Sequence, residues 1–224
     1  MGSRPQPLPI QAARNQSRPN SGFLKTSLAV GALAVILIGL GGAAAAEGDP
    51  MAAVKETVRQ VLAIVTDPSY KSATSERREK LREIIAPRFD FSEMARSAMG
   101  VHWRTLTQPQ RDEFVRVFTG LLEASYMGKI EGYKGQKIVY VKEINEGSDA
   151  QVNTNIIPSG GEAIAVDYRL KQSAGTWKVY DVVIDHISLV GNYRNQFNRL
   201  MNEKGFDKLV AAIKQKQQSI DTGS

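Results

Sequence analysis

The chain has 224 residues, a formal net charge of +6 and no cysteine, which excludes a disulfide framework and thiolate zinc sites. Four of its cations, Arg4, Arg14, Arg18 and Lys25, lie in the first 25 residues. The rest carries 25 basic against 23 acidic residues, too even a balance for a nucleic-acid binder with its concentrated basic stripe.

The first 46 residues read as a secretory leader. A long basic region without acidic residues precedes the apolar run Leu28 to Leu40, and a run of alanines ends at Ala46. A basic n-region, a short apolar core and small residues at the exit form the pattern of an export signal, with cleavage expected after Ala46. The alternative is an uncleaved membrane tether, although the apolar run is shorter than the ~20 residues a spanning helix prefers. The expected mature chain begins at Glu47 and leaves 178 residues, a length suited to one domain with a substantial core.

After the leader the chain reads as helices, then strands, then helices. Asp49-Pro50 supplies an N-cap followed by proline at the first helical position, and the helix carries Val54, Val58, Val61, Leu62 and Val65 on one face. Asp67-Pro68 ends it. A charged helix over 75–85 turns Leu81, Ile84 and Ile85 inward, and Pro87 closes it. Asp90 and Glu93 have capping-box spacing and open a short helix that Gly100 ends. Thr107 and Gln110 repeat the box and open the longest helix, with Phe114, Val117, Phe118, Leu121, Leu122, Ser125 and Tyr126 at helical spacing.

From Gln136 the period changes to two. Strands are expected at 137–144, 150–157, 162–171 and 176–185, joined by short polar or glycine-rich turns, which imply an antiparallel meander. In the third strand Ile164, Val166, Tyr168 and Leu170 share one face. Ile187 to Val190 reads as an apolar turn into two final helices, near 190–203 and 207–217, separated by Gly205. Residues 218–224 read as a disordered tail. Helices segregated from a four-stranded antiparallel sheet define an α+β domain.

Little in this pattern is catalytic. His186 with Asp167, Asp181 or Asp185 would make an acid–base pair, yet no nucleophile or oxyanion donor is placed beside them, and strand-end hydrogen bonding is the better reading. His102 neighbours Trp103 between two helices. Asp181, in an otherwise apolar strand, calls for an arginine or a backbone cap, and Arg194 is a plausible partner, with lipid-headgroup contact as its other reading. Neither a phosphate loop nor metal-ligand spacing is present.

Two segments, WKVYDVVIDHISLVGNYRNQF (177–197) and FDFSEMARSAMGVHWRTLTQPQRDEF (89–114), resemble the MlaC family of periplasmic phospholipid-binding proteins, also described as toluene-tolerance auxiliary components of lipid ABC transporters. The resemblance extends over nearly the whole chain after residue 47. It implies a helical layer over the sheet, an apolar cavity between them, and a non-enzymatic carrier with bound phospholipid as cargo and no cofactor. The cavity lining it implies is Trp103, Phe118, Leu122, Tyr126, Val152, Val166, Tyr168, Val182 and Ile184, with Arg194 structural or at the headgroup. Periodicity alone leaves open whether these faces fill one another or hold lipid. The implied partners are an inner-membrane lipid ABC transporter complex and an outer-membrane lipoprotein complex, with transient membrane contact, a periplasmic location and a role in outer-membrane lipid asymmetry. A hopanoid-like cargo, or a tethered adaptor of a lipid or hopanoid transport system, are the alternatives. Relatives commonly carry a small residue, often glycine, where this chain has His186.

Overall fold

The computed structural model describes residues 48–222; the expected leader and its cleavage point lie outside them. Four helices come first: α1 (Pro50–Thr66), α2 (Thr74–Ile85), α3 (Phe91–Met99) and α4 (Gln108–Glu131). The strands β1 (Lys137–Glu146), β2 (Asp149–Ile157), β3 (Ile164–Ser173), β4 (Thr176–Ile184) and β5 (Ile187–Ser188) follow, and α5 (Leu189–Asp221) closes the chain.

The caps explain the helix starts. Asp49 accepts from the backbone N–H groups of Met51 and Ala52, with Pro50 at the first helical position. Thr107 and Gln110 form both halves of a capping box at the start of α4. At α3 only half of the expected box forms: Asp90 accepts from the Glu93 N–H, while the Glu93 side chain turns to Arg96. The last helix continues to Asp221, beyond the expected end at Gln217, so residues 218–221 are helical rather than disordered. Gly205 interrupts it with φ 77°, a left-handed conformation that glycine adopts without a Cβ clash, and the expected two helices are thus two segments in tandem.

The sheet is antiparallel in the order β1-β2-β3-β4-β5. It has five strands instead of the expected four, because Ile187-Ser188 pairs with Val183 and Ile184. The connection is the two-residue turn Asp185-His186, both at positive φ (46° and 67°). Such turns match the strand twist, and Asp and His tolerate the left-handed region better than most residues. Two bulges shift the pairing, at Val141 in β1 and at Tyr180 in β4.

Because of the second bulge, Asp181 points away from the inner face, toward Arg169 and β5. It is 4% exposed. One carboxylate oxygen accepts from Ser188 Oγ (2.6 Å) and Arg169 (3.2 Å), the other from the Val190 N–H (3.0 Å). Ser188 in turn caps α5 by accepting from the Gly191 N–H. The partner of Asp181 is therefore Arg169 and not Arg194, whose Nε donates to the Ser97 carbonyl (2.8 Å) while its stem packs over Gly100. Arg169 was the harder partner to infer, since it lies opposite Asp181 only after the bulge resets the register.

A second electrostatic tie joins α2 to α4. Arg77 and Arg78 both bond Glu131 (3.0 and 2.9 Å), and Arg82 pairs with Glu123. Burial alone would raise the Glu131 carboxyl, but hydrogen bonds from Arg78 and Arg77 outweigh it and hold the group below the usual carboxylate range.

Two outcomes are expected. Asp181→Ala strips α5 of a capping acceptor and leaves buried donors unpaired, costing about 2–4 kcal/mol in urea unfolding, whereas Asp181→Asn keeps an acceptor and costs about half as much. Glu131 has a folded pKa below its unfolded value, so its stabilisation is full above the unfolded pKa and is lost as pH falls through the folded one. Unfolding titrations at about pH 6 and about pH 3 should show Glu131→Gln destabilised at the higher pH by roughly 1–2 kcal/mol, with a smaller difference from the parent at the lower.

Candidate functional site

Two apolar clusters face each other across the domain. The helical one is built from α3, α4 and α5, including Met94, Met99, Phe114, Phe118, Leu122, Phe197 and Leu209. Its centre is aromatic: Phe118 meets Tyr193 edge-on at 5.2 Å and Phe197 at 5.5 Å, and Phe114 stacks on Phe118 at 5.8 Å. The second lies between α1 and the sheet and holds Val54, Ala150, Val152, Leu170, Trp177 and Val179. Phe89 and Val182 pack against both clusters. Both faces are apolar, which is the character an elongated apolar ligand requires of its lining.

Register sets which strand residues share that face. Val152, Tyr168 and Val182 stand side by side across β2, β3 and β4, and Thr154, Val166 and Ile184 form the next row. Val152 is fully buried in the sheet cluster, with Tyr168 and Val182 packed against it. Val166 is buried and Ile184 half-buried, and both stand outside the two clusters. On the helical side Phe118 and Leu122 are buried within their own cluster. Tyr126 is half-buried at its edge, with the Lys129 ammonium 4.9 Å from its ring centre. Burial, and then the neighbouring Tyr193, raises the Tyr126 phenol. Trp103 packs against the helical cluster under the Arg111 guanidinium, and it donates no side chain to the sheet cluster. Arg194 is held at Ser97 by the hydrogen bond already described.

Tyr168 has a distinctive environment. Burial, and then the nearby Tyr140, pushes its hydroxyl up to about 12. Yet the side chain keeps accessible surface and its hydroxyl has no hydrogen-bond partner among the described residues. The apolar row thus carries at Tyr168 a half-buried hydroxyl free to meet water or a ligand.

Several inner-face residues escape a reading of the sequence. Tyr140 and Ile138 of β1 lie opposite Thr154 and Ile156, but the bulge at Val141 breaks the alternation that would have marked them. Thr154 is buried as its hydroxyl donates to the Val166 carbonyl (2.7 Å), which hides a polar residue in an apolar row. Phe89 precedes α3 and carries no periodic signal, but its backbone bridges to Val179.

The residues of the acid–base alternative serve the backbone. Asp181 is fully engaged as described, the Asp185 carboxylate accepts from the Ala165 N–H, and His186 sits exposed in the turn. His102 bonds Asn198 (2.9 Å) on the outside of the helical layer.

This arrangement recurs in known proteins. The chain is 26% identical over 157 residues to the intermembrane phospholipid transport system binding protein MlaC of Haemophilus influenzae, covering 68% of this chain and 71% of that one. It is 29% identical over 140 residues to the toluene tolerance protein ttg2D of Pseudomonas putida, covering 62% and 65%. Among solved structures, a phospholipid-binding protein from Ralstonia solanacearum, determined in complex with a phospholipid, superposes with a TM-score of 0.70 at 30% identity. That superposition covers 77% of this chain and 99% of the other. The family model described as MlaC protein matches residues 55–215, and the chain belongs to the MlaC family.

Proposed function

We propose that this protein is a periplasmic phospholipid carrier that moves lipid between outer- and inner-membrane complexes and so maintains the lipid asymmetry of the outer membrane. The observation that carries the reading is the apolar row Val152–Tyr168–Val182, whose central tyrosine is half-buried with its hydroxyl unpaired among the described residues. The likeness to a Ralstonia solanacearum protein bound to phospholipid supports the same reading. Acyl chains lie between the sheet row and the helical cluster, and the headgroup stays toward water.

The energetics favour a carrier over a catalyst. Burying a methylene contributes about 0.8 kcal/mol, so one ~16-carbon chain gains on the order of 12 kcal/mol gross. Release into water is correspondingly slow. Loading and unloading therefore take place where another apolar site is offered, at an inner-membrane lipid ABC transporter and at an outer-membrane lipoprotein complex. Because the energy resides in the tails, the cleft accepts a range of headgroups, and a hopanoid-like lipid satisfies the same apolar demand. The leader directs export and is cleaved after Ala46. A tethered adaptor that keeps this segment is the competing reading, and N-terminal sequencing of the exported protein separates the two.

Ile184→Trp fills the space beside the inner-face row at a position outside both clusters. Uptake of labelled phospholipid from vesicles by this variant should fall at least fivefold, with the thermal midpoint within a few degrees of the parent, since neither cluster is disturbed. Undiminished uptake with the fold intact would contradict a lipid slot at this row.

A further inference from the structure

One end of the sheet combines exposed isoleucines with an excess of exposed lysines. Register places Ile138, Ile156 and Ile164 in one row across β1, β2 and β3, and Ile184 opposite Ile187 across β4 and β5. This isoleucine edge adjoins the Thr154–Val166–Ile184 row and is more exposed than Thr154 and Val166. Val166 is buried, Ile164 is 39% exposed and Ile187 64%, and Ile157 on the opposite face is 36% exposed.

Beside it lies the connection from α4 into β1. Lys137 is paired in register with Ile157, and Lys129 and Lys134 precede it. The turn is ordered, because Tyr133 Oη donates to the Gln136 carbonyl and the Lys134 N–H donates to Gln136 Oε1. None of these three exposed lysines forms an ion pair among the described residues. Of the neighbouring carboxylates, Glu131 is engaged by Arg77 and Arg78, Asp185 accepts from Ala165, and Glu162 stands exposed in the β2–β3 turn.

Resting on the carrier reading, we infer that this isoleucine-and-lysine end of the sheet is the face by which the protein docks on an anionic phospholipid membrane, with the cleft opening toward the bilayer. Three arguments select a membrane over a protein partner. Protein interfaces are enriched in Trp, Tyr and Arg at their cores and depleted in lysine, whereas this edge is aliphatic, flanked by three exposed lysines and one exposed glutamate. Aliphatic residues beside unpaired lysines match the headgroup–acyl boundary, where apolar side chains enter and ammonium groups meet phosphate. The patch is also continuous with the row that receives acyl chains, so a lipid entering the cleft need not cross water.

The test is flotation of protein purified from cells expressing the full chain, using vesicles of phosphatidylcholine alone or with phosphatidylglycerol. The parent is compared with Lys134→Gln/Lys137→Gln and with Ile187→Ser, and phospholipid copurifying with each is extracted and counted. All three proteins share one N-terminus, so differences between them read the sheet end. The parent should prefer the anionic vesicles and lose that preference as salt rises. The double lysine variant should bind them about twentyfold less, since each lysine near an anionic surface is worth roughly fivefold. Ile187→Ser should weaken binding to both vesicle types, and all three should keep their copurified lipid.

Equal binding of parent and variants, or no preference of the parent for anionic vesicles, overturns the docking face while copurified lipid leaves the carrier reading intact. Variants that float normally but no longer exchange lipid with a protein partner mark this edge as a protein interface and likewise overturn it. A parent without copurified lipid or lipid uptake removes the carrier reading, and the docking face with it.

Discussion

The buried carboxylate of Asp181 holds the two halves of this domain in register. The helical layer and the sheet each have their own apolar cluster, and hydrophobic burial between them is non-directional. Direction comes from Asp181, which binds Arg169 across the sheet, Ser188 in the last strand and the Val190 N–H at the head of α5. Since α5 carries Phe197, Leu209, Val210 and Ile213 into the helical cluster, the start of that helix sets where the helical layer stands over the sheet. The Tyr180 bulge turns Asp181 away from the apolar row while Val182 stays within it. The segment Ile187 to Val190 therefore acts as a hinge pin, with a strand, a cap and a helix start in four residues.

That fixed spacing gives the apolar faces their use. Phe89 and Val182 bridge the two clusters, while Val166 and Ile184 stand outside both and Tyr168 carries an unpaired hydroxyl at the heart of the row. Under the carrier reading, a lipid supplies the apolar contact that Val166 and Ile184 do not receive from either cluster. Peripheral ties, Arg77 and Arg78 on Glu131 and Arg88 on Thr57 and the Trp177 carbonyl, brace the helices against one another and against the sheet.

Much of this architecture is written locally in the sequence. The N-caps at Asp49 and Thr107 and the alternation in β2 and β3 follow from neighbours within a few residues, and they locate the elements well. What sequence could not supply is of two kinds. Long-range partnerships depend on register, so Arg194 looked as eligible for Asp181 as Arg169, and the bulges at Val141 and Tyr180 concealed Tyr140 and shifted the faces. Short elements lack a period to read, which is why β5 passed for a turn. The candidate lining was legible as a set of buried faces, since Phe118, Leu122, Val152 and Val166 are all buried. Whether such faces meet one another or a cargo is not encoded in periodicity, which records burial without recording what does the burying.

The central claim is that the row around Tyr168 holds lipid. Native mass spectrometry of the protein purified without detergent, followed by organic extraction, tests it most directly. The account predicts a mass increment of about one phospholipid per chain, with the same lipid recovered in the extract. An unliganded mass that stays unchanged after incubation with phospholipid vesicles would contradict it and would mean that the two apolar layers close on each other.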